Sequence, residues 1–418
     1  MNTVFVLDTN KQILAPCSRW RAHTLLSSGK AAVFRRVPFT IILKRPVENP
    51  TLPEHHLKID PGSKTTGLAV LQDNRVIFVA ELTHRGQQIK SALENRRAIR
   101  RNRRSRKTRY RQARFLNRTR PAGWLPPSLQ SRVENIMTWV KRLSRVCPIT
   151  ALSQELVRFD TQLMQNAEVS GVEYQQGELA GYEVREYLLE KWRRTCAYCH
   201  AENVSLEVEH IVPKSRGGSD RLSNLCIACH PCNQRKNSQT AAEFGFPLVQ
   251  AQAKVHMKDA AAVNSTRWAL YRRLCETGLP VEVGTGGRTK WNRTRLGLPK
   301  AHWVDAACVG ASTPDTLTVR DVKPLLITAM GRGTYQACRT DKHGFPVQHR
   351  TRQKRHFGFQ TGDMVRAVVL RGKYAGTWVS RVVVRARPSF TIRIAGRPAD
   401  VHQRTCMRLF AADGYAYA

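Results

Sequence analysis

The chain has 418 residues, of which 41% are apolar, and it carries 69 Lys and Arg against 31 Asp and Glu, a formal net charge of +38. That length accommodates two or three folded units and excludes a small peptide-like factor. The charge calls for a polyanionic partner, nucleic acid, because unmatched positive charge repels itself and works against a compact state.

The opening residues Met1–Asp8 lack a basic stretch followed by a long apolar one, and no apolar run reaches spanning length, so a cytosolic chain with no membrane segment is expected. Residues 1–54 read as a small accessory domain. Its apolar runs Val4–Leu7 and Ala31–Leu43 flank a short helix near Arg19–Ser27. Next, Leu57–Asp60, Thr66–Val70 and Val76–Glu81 form three strands around the turn Pro61-Gly62-Ser63-Lys64. From Arg85 to Arg120 the character changes, with 15 Arg and Lys against the single acid Glu94. No proline interrupts before Pro121, which fits a long arginine helix lying against phosphates, or a segment that passes from disorder to order on RNA.

Beyond Pro126-Pro127, Leu129, Val133, Ile136, Val140 and Leu143 have the spacing of an amphipathic helix over Ser128–Leu143, with Ser128 as its cap. A strand over Cys147–Phe159 carries Glu155, and a helix over Gly181–Arg193 leads into a cysteine cluster. Then come a helix from Val263 to Glu276, a strand Val281–Val283, a glycine-rich turn, and a helix Ala301–Val309. In the last hundred residues Val365–Leu370, Thr377–Arg385 and Ser389–Ile394 are short strands joined by Gly372, Gly376 and Pro388, a small β-barrel-like module.

Five of the eleven cysteines, Cys196, Cys199, Cys226, Cys229 and Cys232, crowd into one segment, which reads as metal binding and not as a disulfide framework. Cys196-Ala-Tyr-Cys199 and Cys229-His-Pro-Cys232 are paired CxxC knuckles suited to one tetrahedral Zn²⁺, with Cys226 as a competing ligand. Between them stand Glu209-His210-Ile211-Val212-Pro213 and Asn224, and Asn233 follows the last cysteine. A neutral imidazole accepts a proton near pH 7, and hard oxygen ligands suit Mg²⁺. Elsewhere Asp60 ends a strand, Glu155 sits in another with Asp160 as a competitor nearby, and His302 and Asp305 share one helix face.

The string between the knuckles resembles the zinc-stapled branch of the HNH nucleases. That resemblance implies a ββα-metal fold in which His210 activates water, Glu209 and Asn233 hold one Mg²⁺, and Asn224 orients the loop. The segments Ile59-Asp60-Pro61-Gly62-Ser63-Lys64-Thr65-Thr66-Gly67 and His302-Trp303-Val304-Asp305-Ala306 resemble a split RuvC-like nuclease domain, a ribonuclease H-like α/β fold. It implies that Asp60, Glu155 and Asp305 bind paired Mg²⁺ ions and that His302 handles or positions a proton.

The order of parts resembles the IscB family of transposon-encoded RNA-guided nucleases, similar to the type II CRISPR effector. Pro16-Cys17-Ser18 departs from the Pro-Leu-Met-Pro-like signature common in its amino-terminal module. The implied divisions are RuvC-like segments 55–84, 121–180 and 251–315, a bridge helix 85–120, an HNH domain 181–250, and a carboxy-terminal module 316–418. Arg96, Arg97, Arg100, Arg101, Arg103 and Arg104 would grip a structured guide RNA and its heteroduplex. The last module would read a short target-adjacent motif, with Arg381, Arg385, Arg387 and Arg393 equally suited to phosphate. The resemblance implies a prokaryotic, cytoplasmic protein, a monomer within its ribonucleoprotein, that cuts double-stranded DNA. The residues also admit an RNA-independent homing or recombination endonuclease, a non-catalytic nucleic-acid-binding scaffold, and a zinc-dependent RNA-processing enzyme.

Overall fold

The computed structural model describes residues 3–106, 124–156, 185, 187–189, 191–220, 222–254, 260–319, 322–331, 338–349 and 351–418. At the amino terminus β1 (Thr3–Leu7), β2 (Ile13–Ser18), α1 (Arg19–Ser27), β3 (Ala31–Arg35) and β4 (Thr40–Leu43) build a sheet of order β2-β1-β4-β3. Its core is separate, formed by Val4, Val6, Leu14, Ala22 and Ile41 among others. The helix starts at Arg19 because the Ser18 hydroxyl accepts from the Arg21 amide. Strand β2 is one that the sequence pattern does not announce, since Pro16 interrupts it.

The main sheet is assembled from distant segments. β5 (His55–Asp60), β6 (Thr65–Gln72) and β7 (Arg75–Thr83) form an antiparallel meander. α2 (Gly86–Ser105) then leaves the sheet, and α3 (Pro127–Ser144) returns to it ahead of β8 (Ile149–Glu155), which pairs in parallel with β5. Next come β9 (Leu206–His210), β10 (Leu225–Cys229), α4 (His230–Lys236) and α5 (Pro247–Lys254), which form the cysteine module. α6 (Ala260–Cys275) leads back to β11 (Val281–Gly284), parallel to β8, and then to α7 (Gly286–Arg295) and α8 (His302–Ala307). β12 (Leu325–Ala329) adds in parallel to β7.

After β12 come the hairpin of β13 (Cys338–Thr340) and β14 (Pro346–His349) and the short pair β15 (Arg355–His356) and β16 (Phe359–Gln360). β17 (Met364–Val369), β18 (Gly376–Arg381), β19 (Ser389–Ile394), β20 (Arg397–His402) and β21 (Cys406–Phe410) close a small β core around Val365, Phe390 and Ile392. The chain then returns to the main sheet as β22 (Tyr415–Tyr417), giving the order β11-β8-β5-β6-β7-β12-β22. The segment expected as a separate module from residue 316 therefore gives its first and last strands to the main sheet.

Strand periodicity decides what covers each face. Leu57, Ile59, Leu68 and Val70 point into a core shared with Val133, Ile136 and Val140 of α3 and Leu270 and Leu274 of α6. Ala69, Leu71 and Val79 point the other way, onto Ala306 and Ala307 of α8. By the same alternation, Lys58 and Asp60 lie on the α8 side of β5.

Several expectations need correction. Ser128 is not a cap: the N-cap of α3 is Pro126, and Pro127 occupies the first turn, where its missing N–H costs nothing. The expected glycine turn is the start of α7, because the Thr285 side chain accepts from the Arg288 amide and caps a helix there. Of the helix over 181–193, the described residues 185, 187–189 and 191 are helical, whereas Arg193 lies past its end with φ +55°. Lys107–Arg120 of the arginine segment, and Arg158, Phe159 and Asp160 after β8, fall outside the described residues. Among the described residues no helix is long and apolar enough to cross a membrane.

One glycine is fixed by the packing. A Cβ on Gly67 would stand 1.9 Å from the carbonyl oxygen of His302, so only glycine lets α8 seat against β6. Gly67→Val should lower stability by about 1–3 kcal/mol through overpacking. Urea unfolding monitored by circular dichroism checks this, and a midpoint equal to that of the unsubstituted protein contradicts the close approach.

Candidate functional site

The cysteine module is built outward from its thiols. Cys196, Cys199, Cys229 and Cys232 have their Sγ atoms all within 4.8 Å of one another, and Cys199 and Cys229 are 3.6 Å apart. A tetrahedron with Zn–S of about 2.3 Å requires sulfurs about 3.8 Å apart, so the four thiols fit the ion. His200 and Asn203 take left-handed φ of +58° to turn the first knuckle. Cys226 does not compete for this place: it is fully buried and faces the Tyr198 hydroxyl at 3.5 Å. Among the described residues this is the only such convergence of three or more His, Cys, Asp or Glu donors.

On β9 and the loop after it, His210 Nε2 lies 2.8 Å from Asp220 Oδ1, and Lys214 Nζ holds the other oxygen of Asp220 at 2.9 Å. Asn224 is spent on architecture. Its Nδ2 donates to the Val212 and Ser219 carbonyls at 2.9 Å each, and its Oδ1 accepts from the Val212 amide at 2.9 Å. Gly218 makes that clasp possible, since a Cβ there would stand 1.7 Å from the Val212 oxygen. Glu209 and Asn233, expected to share an ion, have different partners. Glu209 Oε1 accepts from the fully buried Lys236 at 2.6 Å, and the same ammonium donates to the His210 carbonyl at 2.8 Å. Asn233 Nδ2 donates to Glu207 Oε2 at 2.7 Å, and His230 Nδ1 is 2.9 Å from Glu207 Oε1. These two bonds hold the Glu207 carboxyl below its usual range. The sequence reading missed Glu207, although its period-2 spacing from Glu209 on β9 puts both carboxylates on one face.

The second cluster lies at one end of the main sheet. Because Ile59 pairs with Gln154, Asp60 and Glu155 end adjacent parallel strands side by side. α8 brings His302 and Asp305 over the same end, and all four residues line one cavity of about 380 Å³. His302 Nδ1 is 4.0 Å from Asp60 Oδ2, and that partner raises the imidazole pKa. Burial, and then the charge of Asp60, push the Asp305 carboxyl up to about 6.

Cations that the sequence did not single out complete the wall. Arg267 of α6 donates to Glu155 Oε1 at 3.0 Å and to the Pro61 carbonyl at 3.3 Å. Arg293 Nε of α7 lies 2.9 Å from Asp305 Oδ1, an ion pair without hydrogen-bond alignment. Lys290, Lys300, Arg193 and Arg194 also face the cavity. With these guanidinium partners the three carboxylates share a space without meeting at one point. Nothing in the residues around position 267 marks an arginine aimed at Glu155, which ends a strand more than a hundred positions away.

The arginines of α2 point outward. Arg96, Arg97, Arg100, Arg101 and Arg104 are exposed, Arg103 is half-buried and donates to the Gly344 carbonyl at 3.2 Å, and only Gly86 of the whole helix is buried. A 20-residue helix, about 30 Å long, with no apolar face gains little from packing on this protein.

Two family models match the chain: one described as RRXRR protein over residues 4–177, the other as HNH endonuclease over residues 196–249. The second coincides with the cysteine module, so the chain combines a mixed α/β fold with a separate HNH-type module, which supports a nuclease. No curated protein sequence matches the chain. Among solved structures, Streptococcus thermophilus Cas9 in complex with the AGAA PAM is similar at 13% identity and a TM-score of 0.25, covering 62% of this chain and 32% of that one. The Type II-C Cas9 of Actinomyces naeslundii is similar at 17% identity and a TM-score of 0.17, covering 44% and 31%. The chain thus spans about a third of the length of these proteins.

The thiol geometry predicts one Zn²⁺ per chain, and Cys199→Ser should lose it and loosen the module. Elemental analysis alongside limited proteolysis checks both effects; folded protein without zinc contradicts the assignment.

Proposed function

We propose that the chain is an RNA-guided DNA endonuclease in which the HNH-type module cuts the guide-paired strand and the carboxylate cavity cuts the displaced strand. The observation that carries this reading is the presence, on one chain, of an HNH-type module and a second, unlike cluster of acids gathered at one end of a sheet. The strand order β7-β6-β5-β8-β11, an antiparallel meander followed by two parallel strands, supports a ribonuclease H-like, RuvC-like core split into segments 55–84, 121–180 and 251–315.

In the module, a His210 ring in the tautomer whose Nε2–H donates a hydrogen bond to Asp220 keeps the Nδ1 lone pair free to take a proton from water. Lys236 fixes Glu209 and the His210 backbone together, and Asn224 fixes the loop that follows. Glu209 and Asn233, with Glu207 beside them, have the hard oxygens suited to Mg²⁺. In the cavity Asp60, Glu155 and Asp305 would hold magnesium ions. Their donor chemistry fits, because burial first, and then the charge of Asp60, raise the Asp305 pKa, and a bound cation would favour its ionised form. Bound magnesium would lower the pKa of attacking water and stabilise the leaving oxygen. His302, tied to Asp60, holds a proton at the mouth of the same space. The surrounding Lys and Arg side chains suit a phosphate backbone, and the outward arginines of α2 suit the guide RNA and its heteroduplex. Target choice would fall to base pairing, with a short target-adjacent motif read by the carboxy-terminal module, on a protein monomer.

The test is a denaturing gel of a plasmid-derived duplex with each strand labelled separately, run with Mg²⁺ and matched or scrambled guide RNA. His210→Ala should spare only the displaced-strand cut and Asp60→Ala only the guide-paired cut. Loss of both cuts in either variant, with folding and DNA binding intact, contradicts independent sites. Equal cutting with scrambled guide favours an RNA-independent endonuclease instead.

A further inference from the structure

We propose that Lys58 is a positioning residue that sets the separation between Asp60 and Asp305; this rests on reading the carboxylate cavity as a metal site. Lys58 and Asp60 are two residues apart on β5 and face α8 together. The Lys58 side chain is fully buried, and its Nζ donates to the Val309 carbonyl at 2.8 Å and to Thr313 Oγ1 at 3.2 Å. Val309 lies four residues beyond Asp305, in the turn that follows α8. The strand bearing one acid is thereby tied, through a single ammonium, to the turn that ends the helix bearing the other. Two strand residues span about 6–7 Å, and only four residues separate Asp305 from Val309, so the closed circuit has little slack.

The side chain is ill-suited to its place on packing grounds alone. Burial pulls the amine down to about 8, and the Glu282 carboxylate is the first charge to oppose that shift. Neutral acceptors do not repay the desolvation of an ammonium, and an apolar side chain of similar length would fill the same space without that cost. The turn it grips is held from two further directions. Asn292 of α7, itself buried, donates through Nδ2 to the Cys308 and Gly310 carbonyls at 2.9 Å each. Glu282 of β11 accepts through Oε1 from the Ser312 amide at 2.9 Å. Gly310 holds φ +85° there, and a Cβ on it would stand 2.3 Å from Glu282 Oε2. α8 has only six residues, too few to keep a fixed pose unaided, so its placement depends on these anchors.

The test uses Mn²⁺ binding, read from the electron paramagnetic resonance of the free ion, beside the strand-resolved cutting assay. In Lys58→Met the Kd of the Asp305-dependent Mn²⁺ site should weaken by about 10–100-fold, the range found when the supports of metal ligands are removed. The Mg²⁺ needed for half-maximal Asp60-dependent cutting should rise in parallel, while the His210-dependent cut and zinc content stay unchanged. Thr313→Val, which deletes one acceptor and keeps the shape, should shift both in the same direction by less, and it decides the matter where Lys58→Met does not fold. An unchanged Kd, with the Asp60-dependent cut intact, overturns the clamp alone. Wild-type protein showing no Mn²⁺ binding that Asp305→Ala removes overturns the metal-site reading and the clamp with it.

Discussion

Parallel pairing of β5 with β8, and of β8 with β11, is the constraint on which the rest of the structure depends. Parallel strands bring like ends together, and their register, Ile59 opposite Gln154 and Glu155 opposite Gly284, puts two acids from distant segments at one edge of the sheet. Parallel neighbours cannot be joined by a tight turn; a long connection must cross over. Between β5 and β8 that connection carries the arginine helix, and between β8 and β11 it carries the cysteine module. The same topology that gathers the acids thus obliges the chain to leave the sheet at the two places where its other functional parts are mounted.

Electrostatics around the acids follow from that gathering. Glu155 is buried and Asp305 half-buried, and each has a guanidinium close by, Arg267 and Arg293. Removing one partner from a buried pair costs about 3–5 kcal/mol, because it strands the other charge. A cation bound there would have to displace, or share with, the arginines. The HNH-type module solves a related problem differently. Its buried Lys236 neutralises Glu209 and fixes the His210 backbone, while Asn233 turns to Glu207.

Local elements were legible where one signal dominated. The turn residues of 61–64 framed β5 and β6, and the apolar spacing from Val133 to Leu143 produced α3. The paired CxxC knuckles announced four converging thiols, because ligand spacing is a local property. Strand β2 was hidden by Pro16, and α7 by glycines that a threonine cap turned into a helix start. β22 was unreadable because Tyr415–Tyr417 gain their partner β12 only through the sheet. Arg267, Glu207 and Lys58 likewise owe their roles to contacts across long stretches of chain, which no window of sequence contains. Asp60, Glu155, His302 and Asp305 could be grouped in advance through resemblance, and the fold puts them in one cavity, yet their arginine partners are set by contacts between distant helices and strands.

The central claim is that the Asp60–Asp305 cavity holds divalent cations. The most direct measurement is anomalous X-ray diffraction from crystals of the protein grown with Mn²⁺. The account predicts anomalous density between the carboxylates of Asp60 and Asp305, with Arg293 moved off Asp305. Crystals in which Mn²⁺ binds elsewhere on the protein while this cavity stays free of anomalous density, with Arg293 still on Asp305, would contradict it.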